Sequence, residues 1–134
     1  MKNFFAVLIF LTTNLLLSQN TSLTEQLKKA SHDSIRCRIL KDEISKTEDF
    51  DIKLDYNKQL QDLVEKALKS KGISEDEKRI FLLEKTKYLV NYGYIYQNAK
   101  FRDITKALKY YKKSILISKQ IGDKEGIADA YTNT

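Results

Sequence analysis

The residues of this chain that could do chemistry are few, and their spacing works against it. The only histidine, His32, lies in "SHDS", residues 31–34, where Ser, His and Asp stand side by side. A nucleophile, its base and an orienting acid must converge on one point, and consecutive positions on a helix point in different directions. No second histidine and no cysteine stands at ligand spacing from His32, so a zinc site is not expected. Cys37 is the single cysteine, which rules out an internal disulfide. Its helical spacing with Leu40 and Ile44 predicts a buried thiol on an apolar face. The four glycines, at 72, 93, 122 and 126, are too scattered for a phosphate loop. The carboxylates Asp42 and Glu43, and those of Glu75 to Glu77, fit a solvated face and a helix start better than acid/base work. No catalytic residue, cofactor or metal is therefore expected, and the chain reads as a non-enzyme.

Binding chemistry is the remaining possibility, and "NYGYIYQN", residues 91–98, poses it with three tyrosines and a glycine inside a helical pattern. The elements that hold this stretch follow from composition and periodicity. Of 134 residues, 42% are apolar and 31% charged, with no proline and only four glycines, which predicts one small all-α domain. Residues 1–18, "MKNFFAVLIFLTTNLLLS", read as a signal peptide: Lys2 precedes an apolar run from Phe4 to Leu17 that is short of the roughly 20 residues a membrane helix needs. Its removal leaves 23 basic and 18 acidic residues, a net charge of +5. Those charges fall on helix faces, and no nucleic-acid partner is expected from them.

Residues 19–30 are weakly periodic and read as a linker or a frayed helix start. A first helix is predicted from Ser31 to about Lys46, with Ser31 or Asp33 as its cap. A second, about Lys53 to Lys71, buries Leu60, Leu63, Val64, Ala67 and Leu68 along one stripe. Gly72 is placed to end it in a left-handed conformation, and Ser74 with Glu77 forms a capping box. The third helix, about 75–98, is apolar along two adjacent sides, Leu82, Leu89, Gly93 and Tyr96 on one and Phe81, Tyr88, Tyr92 and Ile95 on the other. Such a helix lies between two neighbours. Asp103 caps a fourth helix with Ile104, Ala107, Leu108, Tyr111, Ile115 and Ser118 inward, Gly122 ends it, and Asp123 caps a fifth. Alternation of one-sided and two-sided helices is what stacked hairpins require. Leu60, Val64, Ala67 and Leu68 align with Ala107, Tyr111, Ser114 and Ile115 at an offset of 47, and Leu89 and Asn91 with Tyr131 and Asn133 at 42.

The segment 89–134 resembles the tetratricopeptide repeat, a helix-turn-helix unit. Leu89, Gly93, Tyr96, Ala107 and Tyr111 match its packing positions, Ser114 stands where alanine is usual, and "IGDKEGIADAYTN" at 121–133 resembles a junction between longer bacterial repeats. The turn between Tyr96 and Ala107 is about two residues longer than the family's, and the repeat-ending proline is missing. Residues 31–88 match only weakly.

The resemblance implies antiparallel hairpins stacked as a right-handed solenoid, with a degenerate leading repeat at 31–73, a hairpin at 75–121 and a partial repeat at 123–134. It implies a protein or peptide partner, held in a concave groove to which Lys87, Val90, Asn91, Tyr94, Gln97 and Asn98 correspond. Asp129, Thr132 and Asn133 take the matching places in the partial repeat. Tyr92 and Tyr96 are expected to pack within or between hairpins. The incomplete last hairpin is expected to leave Ile127, Ala130 and Tyr131 uncovered. The layout also resembles the exported N-terminal sensor region of bacterial sensor histidine kinases and related signalling proteins. An exported, periplasmic or extracytoplasmic interaction module is the reading this supports, touching a membrane only through an uncleaved signal segment or a downstream span. The alternative is a fragment of a sensor kinase or phosphatase whose catalytic domain lies beyond Thr134.

Overall fold

The computed structural model describes residues 22–134, and these are helical with short turns and no strand among them. The expected signal peptide, residues 1–18, lies outside the described residues. Two compact units divide the chain after Ser31. In the first, residues 22–29 are helical, where a linker or frayed start was expected. Leu23 and Leu27 stand one turn apart there, and the Gln26 amide reaches the Ser22 hydroxyl at 3.3 Å, pairs at i and i+4 that favour a helix by about 0.2–0.5 kcal/mol each.

The second unit contains five helices: α1 (Asp33–Lys46), α2 (Phe50–Leu68), α3 (Glu75–Gln97), α4 (Ile104–Ile121) and α5 (Lys124–Thr132). Neither Ser31 nor Asp33 caps α1. His32 takes the cap position without a capping bond from its side chain, while Asp33 sits in the first turn and pairs with Arg36 at 2.5 Å. The helix buries Cys37, Leu40 and Ile44 as their spacing predicts.

The second helix starts three residues earlier than expected, because the Asp49 carboxylate accepts from the amides of Asp51 and Ile52 and nucleates the turn there. It stops at Leu68, short of Lys71; Ser70 N–H bonds the carbonyl of Ala67, a tightened final turn, and Gly72 then adopts φ +82°. Lys53, nine-tenths buried, sends its ammonium back to the Ile44 carbonyl at 3.0 Å. That carbonyl lies in the last turn of α1, where no helical amide follows to satisfy it.

The capping box opens α3: Ser74 Oγ accepts from Glu77 N–H at 3.2 Å and the Glu77 carboxylate accepts from Ser74 N–H at 3.2 Å. Both expected faces are buried at Phe81, Tyr88, Leu89, Tyr92, Gly93 and Ile95, while Leu82 and Tyr96 are half-buried. The long turn after α3 closes through Asp103 N–H on the Tyr96 carbonyl at 2.9 Å, with Arg102 at φ +49°. Asp103 caps α4, Gly122 ends it at φ +69°, and Asp123 caps α5 by accepting from Gly126 N–H at 3.0 Å. Ile104, expected on the inner stripe, is 53% exposed, because it is the first residue of α4 and overhangs the end of the packed face.

Each helix packs on the one before it, and α3 also touches both α1 and α5, whereas α2 and α4 do not meet. α3 is thus flanked by all four other helices of the unit. At Gly93 the helices α3 and α4 approach closely: a Cβ built there would lie 2.5 Å from Cζ of Tyr111. Ser114 Oγ donates to the Thr86 carbonyl across the same interface at 3.1 Å. Ala130 is fully buried, against expectation, since α5 is covered on its α3–α4 side; Tyr131 remains 58% exposed.

Candidate functional site

Three of the predicted groove residues, Lys87, Asn91 and Tyr94, stand at i, i+4 and i+7 on α3 and share one wall of a cavity of about 280 Å³. The end of α1 and the start of α2 supply the opposite wall through Lys41, Ile44, Ser45 and Lys53, and Ile95 completes the lining. Gln97 and Asn98 do not line it. The Gln97 amide oxygen accepts from the Tyr111 hydroxyl at 3.0 Å, and Asn98 caps α3 and accepts from Lys100 N–H at 3.0 Å. Gln97 is thus engaged with α4, and Asn98 with the end of α3.

The polar groups of the cavity are tied to specific partners. Lys87 pairs with Asp129 of α5 at 2.8 Å, and Lys41 of α1 with Glu84 of α3 at 2.7 Å. Burial alone would lower the Lys87 pKa, but the Asp129 carboxylate outweighs it and holds the ammonium above its ordinary value. Asn91 donates its amide to Asn57 Oδ1 at 3.0 Å, and Asn57, fully buried, donates to the Tyr88 carbonyl at 3.0 Å. Tyr94 is half exposed, its ring centroid 5.8 Å from that of Phe50.

Lys53 and Asn57 were not anticipated from the sequence. Their signal was nonetheless there: 53, 57, 60 and 64 continue the Leu60–Val64 stripe toward the start of α2, so two polar residues occupy core-facing positions. Thr86, fully buried, was missed in the same way; its hydroxyl donates to the Leu83 carbonyl at 2.7 Å.

The residues named for packing divide between two flanks of α3. Leu89, Gly93, Ala107 and Tyr111 are buried along the α3–α4 contact. Tyr96 lies half-buried on the other flank of α3, its ring stacked 5.7 Å from Tyr110 with the Lys106 ammonium 3.8 Å above it. Tyr92 is buried and stacks on Tyr110 at 4.8 Å while donating to Gln61 at 2.7 Å. On this flank Glu65 accepts from both Lys85 and Tyr88 at 2.6 Å. Burial opposes charge on Glu65, yet the two bonds prevail and hold its pKa below the usual value.

The chemically reactive side chains sit apart from the cavity. Cys37 is fully buried, and burial pushes its thiol up to about 12, with Glu84 adding to the effect, so it remains protonated near neutrality. Among the described residues no group of His, Cys, Asp and Glu is placed to hold a metal ion, and no helix is long and apolar enough to cross a membrane. No family model, curated protein or solved structure matches this chain.

Proposed function

We propose that residues 31–134 are a tetratricopeptide-type hairpin stack whose α1–α3–α5 layer presents a peptide-binding groove, and that the chain is the exported sensor part of a signalling protein. The observation that carries this reading is the register between alternate helices. Lys41 pairs with Glu84, 43 residues on, and Lys87 pairs with Asp129, 42 residues on. In a stack of repeats, equivalent positions of successive first helices lie side by side, so bridges at a near-constant separation are what such a stack produces. The offset of 42 is also the one that aligns Leu89 with Tyr131 and Asn91 with Asn133. Lys87, Asn91 and Tyr94 then offer a cation, an amide and a ring to one side of a partner, the mixture that recognises main-chain groups and an apolar anchor together.

Selection of a random 12-residue peptide library against the full chain, followed by fluorescence-polarisation titration of the enriched sequences, tests the groove. Tyr94→Ala is expected to weaken the selected peptides about tenfold, and Leu116→Ala, at an exposed position outside the cavity lining, to leave them unchanged. Failure to enrich any sequence, or equal loss from both variants, would refute the groove. Export is tested separately by the mass of the protein recovered outside the cytoplasm, which should lack residues 1–18.

A further inference from the structure

One charge in the cavity has no counter-charge. Lys41 and Lys87 are matched by Glu84 and Asp129, but Lys53 has no carboxylate at ion-pair distance among the described residues. Its ammonium meets the Ile44 carbonyl at 3.0 Å and lies 5.9 Å from the centroid of Phe50. An ammonium carries three donors, and capping the end of α1 uses one. The position is also unfavourable for a cation: Lys53 is nine-tenths buried, and it sits in the first turn of α2, where the helix dipole is positive. A neutral donor could cap Ile44 without that cost.

The remaining lining shows what would complement this charge. No acidic residue lines the cavity, and Ile44, Ile95 and the Tyr94 ring give it an apolar wall. At about 280 Å³ it lies near the lower end of ligand pockets, enough for a compact molecule. We infer that this cavity binds a small organic monocarboxylate with an apolar or aromatic body, the carboxylate paired to Lys53 and the body laid against Tyr94 and Ile95. The site shares a face with the proposed peptide groove but goes beyond it, standing on Lys53 and the apolar wall.

The test uses the full chain and four acids, benzoate, phenylacetate, 4-phenylbutyrate and hexanoate, each titrated calorimetrically beside its own neutral amide. At least one acid is expected to bind saturably and about tenfold more tightly than its amide, since a charge-assisted bond to a buried ammonium discriminates the two. Lys53→Met should abolish that difference. Tyr94→Ala, at a half-exposed position, should weaken the acids with aromatic bodies several-fold without changing the melting of the free protein. Because Lys53→Met removes the α1 cap and could unfold the chain, the acid-to-amide ratio in the unmodified protein decides the matter alone. Equal affinity for acid and amide, or no binding of any of the four, overturns the inference. A chain that binds selected peptides but no acid keeps its groove and loses this site; one that binds an acid and no peptide does the reverse.

Discussion

Replacing Gly93 with alanine sets two effects of opposite sign against each other. Helix propensity favours the change by about 1 kcal/mol in an interior position. Packing opposes it, because the new Cβ would stand 2.5 Å from Cζ and 2.6 Å from Cδ1 of Tyr111, roughly 1 Å inside the 3.5–4.0 Å at which carbon atoms rest. The ring has little room to retreat: Tyr111 is 1% exposed and its hydroxyl is bonded to Gln97 at 3.0 Å. Overpacking of this kind costs about 1–3 kcal/mol, and a displaced ring would forfeit about 1 kcal/mol more with the Gln97 bond. The balance is a net loss of about 1–3 kcal/mol. For a domain of this size that corresponds to a melting point lower by roughly 5–20 °C, read by circular dichroism at 222 nm. In a Tyr111→Leu background the obstructing ring is gone, and there Gly93→Ala should be neutral or stabilising. A higher melting point for Gly93→Ala in the otherwise unmodified chain would show that propensity dominates and that the close α3–α4 approach does not exist.

Two further outcomes follow from the buried polar groups. Asn57→Ala should cost about 2–4 kcal/mol in urea unfolding, since it leaves a cavity and strips two bonds from a fully buried site, whereas Asn91→Ala, nearer the rim, should cost less than half as much. Stability should also fall at both extremes of pH. The folded-state pKa of Glu65 is depressed, so its contribution is complete above the ordinary value of 4.5 and is lost as pH drops through the lower folded value; Glu65→Gln should flatten that limb. Burial pushes Tyr92 and Tyr111 up to about 12 from 10.0, so the fold prefers them protonated, and stability should decline between pH 10 and 12. A urea midpoint flat across both windows would contradict these assignments.

Most of the helical framework was legible because its signals are local. Asp103, Asp123, Gly122 and the Ser74–Glu77 box act within four residues of themselves, and each does what its type and position require. The stripe of α2 and its counterpart in α4 were legible in their centre: Leu60, Val64 and Ala67 and their aligned partners Ala107, Tyr111 and Ser114 are all buried, whereas Leu63 and Leu68, expected on the same stripe, are half-buried. The start of α2 was misplaced because Asp49 follows directly on an acidic turn, and a carboxylate there reads equally as loop or cap. His32 at the α1 cap position carries no cap signal, since its side chain makes no such bond.

The cavity was half legible, and the division has a physical cause. Lys87, Asn91 and Tyr94 belong to one helix, so a period of 3.6 places them on one face without knowledge of what lies opposite. Their partners come from elsewhere: Asn57 lies 34 residues from Asn91, and Asp129 lies 42 residues from Lys87. Lys53 is the sharper case. A lysine within an apolar stripe carries two meanings, an error in the assumed register or a charge held inside for a reason, and periodicity cannot choose between them. Packing chooses, by setting its ammonium against the last turn of α1 while leaving the carboxylates Glu84 and Asp129 to other lysines. The same fact that hid Lys53 from a reading of the stripe makes it the feature of the cavity that best fits the inferred ligand: a buried cation is costly wherever it is kept, and among the described residues it meets one carbonyl and the Phe50 ring but no carboxylate.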